Sequence, residues 1–371
     1  MSSYRNTFHF MGELFLPNEK AKQPFYQIFK NERGQSARLN FGIKESDHNM
    51  GFVEAFGSQN DTIKTMSTDN EKIEVPWDDR FDKETVKQVA NYKKFTVNLG
   101  DEYGGRNDFI TQYDMIEFLH EWLPKYKGRV YVTGQFNRNP YKDKFYNHFS
   151  IENVYGVADD DDRHNRLGLL MDIYYNNESF DKADMKDSGK GYLNGYLNQY
   201  IDKDNGLKFV PMDFVFNASV YDMDNEKQKK LYEYKMKYLD IKNKKIMHIP
   251  WEIVMINGAE EKPFDESMLT NAQHEQVELG LKVVDDFRPR GSIFGSNIKE
   301  FRLFLPKLTG NFVDGMLQSD FNEREFEDNI YVPIKDEKIN DVVKASKESK
   351  NEKKLESKQI DESDLDESSL F

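Results

Sequence analysis

The chain has no cysteine in its 371 residues. That excludes disulfides, thiolate zinc sites and cysteine nucleophiles, and it accords with a reducing compartment. No apolar run reaches the roughly 18 residues a membrane helix needs, and no amino-terminal signal pattern is present. A cytoplasmic protein without membrane contact is the expectation. The marks of common enzymes are missing too. Gly100-Asp101-Glu102-Tyr103-Gly104-Gly105 is not followed by the Lys-Ser/Thr of a phosphate-cradling loop, and no Gly-x-Ser-x-Gly elbow occurs. The seven histidines, His9, His48, His120, His148, His164, His248 and His274, include no two spaced as ligands on one helix. Four contiguous aspartates, Asp159–Asp162, repel one another and read as a solvated linker rather than a magnesium site. Asp202-Lys203-Asp204-Asn205-Gly206 lacks the closing Glu of a calcium loop and reads as a turn. No enzyme, no metal and no cofactor is expected.

Positive charge is also scarce, since the formal net charge is −14. Removing residues 335–371, with 8 Lys against 11 Asp and Glu, leaves −11, so a coat of bulk positive charge for nucleic acid is excluded. Two stretches run the other way: residues 120–148 carry a net +4 and residues 225–248 a net +5. What the chain has in plenty is aromatics, 14%, mostly Phe and Tyr, which favours a β-rich protein with an aromatic surface.

Residues 127–157 are the most informative. Val130 and Val132 alternate with Tyr131 and Thr133, Asn137, Asn139 and Pro140 break the pattern, and a second alternating run extends from Lys144 to about Tyr155. Period-two alternation around such a break predicts a β-hairpin. Tyr131, Phe136, Tyr141 and Tyr146 are interleaved with Arg129, Arg138, Lys142 and Lys144. Cations follow phosphates, while unpaired bases stack on rings at about 1–3 kcal/mol each. Aromatics also fit any half-buried pleated surface, so a purely structural hairpin is the competing reading.

Asp114–Leu123 has apolar residues at helical spacing and stops at Pro124. A strand, a short helix, then a basic glycine-entered hairpin resembles the end of an oligonucleotide-binding (OB) barrel, in which a helix lies between the third and fourth strands. Phe8–Leu16 suits the first strand, Ala37–Ile43 the second, and Gly51–Phe56 or Lys94–Leu99 the third, with an insertion near 58–91. After the acidic linker 159–165 the order begins again: Leu167–Tyr175, Gly191–Tyr200, an Asn205-Gly206 turn, Lys208–Tyr221, helical Glu226–Leu239, and a strand from Lys244 to Gly258. Asn271–Asp285 reads as one amphipathic helix, and Phe301–Leu305 as a closing strand. The expected fold is mainly β: a tandem of OB-like barrels with short helices over 1–158 and 166–334, then a flexible acidic tail over 335–371. On a strand Tyr192, Tyr196 and Tyr200 share one face as a second stacking row, with a helical stripe as the alternative; Lys244, Lys245 and Trp251 are candidates beside them.

The chain ends Asp361-Glu362-Ser363-Asp364-Leu365-Asp366-Glu367-Ser368-Ser369-Leu370-Phe371. This resembles the acidic, Phe-terminated tip of bacterial and phage single-stranded-DNA-binding proteins, with Leu-Phe where that family has Pro-Phe. The resemblance implies single-stranded DNA as ligand. It also implies that Asp364, Asp366, Glu367, Leu370 and Phe371 dock replication or recombination proteins. The length and two-barrel layout, set against the compact bacterial form, point to a phage source. A structural or assembly protein, its β-domains mediating protein contacts, is the alternative from a different class.

Overall fold

The computed structural model describes residues 6–31, 34–142, 144–242, 244, 246–262, 266–287, 293–307 and 323–332. The first half comprises β1 (Thr7–Phe15), β2 (Tyr26–Asn31), β3 (Gly34–Ser46), β4 (Asn49–Ser58), β5 (Thr62–Met66), β6 (Lys72–Pro76), α1 (Lys83–Gln88), β7 (Phe95–Asn98), β8 (Arg106–Phe109), α2 (Gln112–Trp122), β9 (Arg129–Tyr141) and β10 (Lys144–Gly156). The second comprises β11 (Arg166–Tyr175), β12 (Phe180–Asp181), β13 (Lys190–Tyr200), β14 (Leu207–Asn217), α3 (Glu226–Leu239), β15 (Met247–Lys262), α4 (Asn271–Glu278), β16 (Ile293–Pro306) and α5 (Glu323–Asp328). The protein is mainly β, with one large sheet and a few short helices.

Strand pairing closes two circuits. In the first, β1 pairs antiparallel with β3, Glu13 opposite Lys44, and with β9, Phe10 opposite Val132. β3 pairs with β4, Arg38 opposite Phe56, and β9 continues into β10. β10 then closes on β4 in parallel, Ser150 opposite Glu54. The second repeats the order: β11 with β13 and β15, β13 with β14, β15 with β16, and β14 with β16 in parallel, Val215 opposite Arg302. Each has the strand order of an OB barrel, with α2 or α3 between its third and fourth strands. β1 and β11 pair antiparallel, Phe8 opposite Leu169, so a continuous ladder joins the barrels.

Alternation decides what is buried. In β4, Gly51, Val53, Ala55 and Gly57 face inward, while Phe52 and Phe56 face out. Tight strand crossings need glycine: a Cβ on Gly134 would lie 1.9 Å from the Ser150 carbonyl oxygen, and one on Gly12 2.0 Å from that of Lys44. α2 starts at Thr111, whose hydroxyl accepts from the Asp114 amide (3.1 Å), and it packs Met115, Ile116 and Leu119 into the first core. α3 starts at Asn225, whose side chain accepts from the amides of Lys227 and Gln228.

Several expectations differ from what is found. Gly51–Phe56 is the third strand of the circuit; Lys94–Leu99 contains β7, which pairs in parallel with β10 outside it. The third strand of the second circuit stops at Asn217 rather than Tyr221. Asn271–Asp285 is not one helix, because Gly280 turns to a φ of +69° just after α4 and leaves Leu279 and Leu281 exposed. The acidic tip and Lys245 lie outside the described residues.

Arg138–Asn147 belongs with Tyr331 and Val332 to a smaller compact unit, and the rest of both barrels lies in the larger unit.

Candidate nucleic-acid interface

The outward face of β3 and β4 is the best-built candidate, and sequence reasoning missed it. Phe52 and Phe56 are 44% and 49% exposed. Four strand residues apart, their attachment points are separated by about 13 Å. Phe15 on β1 meets Phe52 edge-on, with centroids 6.2 Å apart, and Phe29 on β2 meets Phe56 at 6.4 Å. Cations lie over this row. The Arg38 guanidinium is 5.9 Å from the Phe29 centroid and 5.8 Å from that of Phe56, and Lys44 Nζ is 5.7 Å from that of Phe15. Among the described residues neither Arg38 nor Lys44 joins an ion pair. Glu54, between the two phenylalanines, faces His148 Nδ1, and that hydrogen bond holds its carboxyl below the usual range. Glu54 is therefore already partnered, and Glu13, exposed on β1 opposite Lys44, is a second acid on this face.

At the Phe56 end a cleft of about 700 Å³ opens between β4 and the β5–β6 hairpin, with Ser58, Lys64, Trp77 and Tyr113 among its walls. Beyond Trp77, Arg80 lies 4.2 Å from the Trp77 ring and 4.3 Å from that of Phe81, which is exposed. Arg80 is held by Asp114 at 3.1 Å. Aromatic rings with guanidinium and ammonium groups among them can accept stacked bases and pair with phosphates, without selecting a base.

The residues proposed from the sequence fall into four groups. Phe136 and Trp251 are corrections. Phe136 is buried against Phe149 at 5.2 Å and Phe301 at 6.0 Å. Trp251 is wholly buried, its indole N–H donating to the Tyr175 hydroxyl at 3.0 Å. Both are core because they share strand parity with Val132 and Ile253, which point inward. Arg129 holds the linker, donating to the carbonyls of Asp161 and Arg163 and to the Asn165 side chain. Tyr131 is half-buried, stacked on Tyr155 at 6.3 Å with Arg163 over its ring.

The hairpin tip belongs to the smaller unit. Tyr141 and Tyr146 are exposed and meet edge-on at 6.2 Å, and Lys142 lies 5.8 Å from the Tyr141 centroid. Lys144 is exposed, while Arg138 covers Phe145 at 5.3 Å and donates to Asn147. On the second barrel Tyr192, Tyr196 and Tyr200 do share the outward face of β13. Tyr200 is exposed, Tyr192 half-exposed, and Tyr196 packs edge-on against Phe326 at 5.0 Å. Lys244 is exposed.

No protein-family model matches the chain, and no curated protein does. Among solved structures it is similar to a deletion mutant of the single-stranded DNA binding protein from Thermus aquaticus. Identity is 12% over 72% of this chain and 98% of that chain, and the TM-score is 0.28. Among the described residues no helix is long and apolar enough to cross a membrane.

Proposed function

We propose that the protein binds single-stranded DNA without sequence preference and without catalysing a reaction, using the outward face of β3 and β4. The observation that carries this is the exposed row Phe15, Phe52, Phe56 and Phe29 with Arg38 and Lys44 over its rings. Unpaired bases stack on such rings, whereas a duplex hides its base faces. With a net charge of −14 the affinity is moderate and salt-sensitive. We further propose a role in phage replication or recombination. There the acidic segment ending in Leu370-Phe371 recruits partner proteins, a reading supported by its sequence alone.

Fluorescent oligo-dT titrated at two salt concentrations, beside a duplex of equal length, tests this. Moderate-affinity binding of the single strand that falls steeply with salt, and weaker binding of the duplex, is the expected result. Equal binding of both, or none at low salt, contradicts it. A salt-insensitive dimer that loses association when Phe52 is replaced would instead identify the face as a protein interface.

A further inference from the structure

The two barrels share one strand order, so their outward faces can be compared position by position. On the first, no described residue covers Phe52 and Phe56 on the face of the second and third strands. On the second, the matching face of β13 and β14 is covered at its centre by α5. Phe326 is only 4% exposed, with its ring 4.5 Å from Phe209, 5.0 Å from Tyr196, and in one cluster with Tyr174 and Ile246. Phe209, opposite Asn198 in the β13–β14 register, belongs to the same outward face as Tyr196 and Tyr200. The backbone seals the arrangement: the Phe209 amide donates to the Asn329 carbonyl at 2.9 Å, and Phe209 and Ile330 form a parallel bridge.

Three features set α5 apart from core. It is six residues long, Glu-Arg-Glu-Phe-Glu-Asp, with a single aromatic among four acids. The rings it joins make a small cluster separate from the main core. A cleft of about 300 Å³ remains beside it, between Tyr196, Asn194 and Glu327. One aromatic ring on a short segment of net charge −3 shares with a nucleotide in a single strand an aromatic group beside negative charge.

We propose that α5 is a displaceable plug on a second single-strand-binding face, and that a long strand expels Phe326 and stacks a base on Tyr196 and Phe209 in its place. This rests on the reading of the first barrel as the primary face. Short strands fill the first face alone; longer ones must compete with α5, so the protein has two footprints.

The test titrates the full chain, Phe326→Ala and Phe326→Ala/Tyr196→Ala with oligo-dT of about 15 and about 40 nucleotides, spanning one and two OB footprints. Phe326→Ala is expected to bind the longer strand about fivefold or more tightly, because no plug has to be displaced, and Tyr196→Ala to reverse that gain. The shorter strand binds all three alike. Folded Phe326→Ala with an unchanged affinity for the longer strand overturns the plug while leaving the primary face standing; a wild-type chain that binds neither strand overturns both. If Phe326→Ala fails to fold, hydrogen exchange of the wild-type Phe209 amide decides. Exchange that quickens with the longer strand and not the shorter supports displacement, and unchanged or slowed exchange with both refutes it.

Discussion

Phe52 and Phe56 stand outward because the inward positions of β4 belong to Gly51, Val53, Ala55 and Gly57, where space is short: a Cβ on Gly57 would lie 2.2 Å from the Tyr113 amide nitrogen. Replacing either phenylalanine with Ala is expected to cost about 1–3 kcal/mol of single-strand affinity and little stability, checked by titration and by urea melts. Phe136→Ala behaves oppositely, losing about 3–5 kcal/mol of stability as a core cavity opens, with any binding loss tracking unfolding. That contrast was half legible in the sequence. Phe136 falls on the parity of Val130 and Val132, which marks it as inward. In β4 both parities carry apolar residues, so period two alone leaves the exposed phenylalanines unmarked.

Lys235 gives a residue-scale prediction of another kind. It is 4% exposed, its ammonium donates to the Tyr221 hydroxyl at 2.6 Å, and it lies 5.2 Å from the Phe304 ring. Burial lowers its pKa from 10.5 to about 8. The folded chain therefore binds fewer protons than the unfolded one between those values. Its contribution to stability is least favourable below pH 8 and improves by about 3 kcal/mol on rising to 10.5. Urea melts of Lys235→Met across that window are expected to lack this rise relative to wild type.

At the scale of elements, the β9–β10 hairpin turns at Lys142, which holds a left-handed φ of +56°. A residue with a Cβ is strained there, and glycine is not. Lys142→Gly is expected to stabilise the hairpin by up to about 1 kcal/mol in thermal melts. The hairpin, α2 and α3 were legible because each has a clean period, two or 3.6, and α2 is stopped at Pro124. The hairpin break expected at residues 137–140 is misplaced, since β9 runs through it to Tyr141 and the turn falls at Lys142. The segment between β4 and α2 was not. Its strands are four or five residues long, too short to show a period, and β7 is placed by pairing with β10, more than fifty residues away.

At the scale of the molecule, the repeated strand order was readable because each barrel spells strand, strand, strand, helix, strand in sequence. The ladder joining them through β1 and β11 was not, since pairing partners of that separation leave no local pattern. Nor did the sequence distinguish the open face of one barrel from the covered face of the other, because α5 lies more than a hundred residues from the rings it meets. Net charge acts on the whole chain, and on the proposed function it confines binding to places where cations stand over rings. Photocrosslinking of bromodeoxyuridine-substituted single strands to the full chain, with mapping of the modified peptides, locates such a place directly. Adducts on residues 36–58, lost when Phe52 and Phe56 are replaced, are the predicted result. Abundant adducts elsewhere with none on that segment would contradict the assignment of the β3–β4 face.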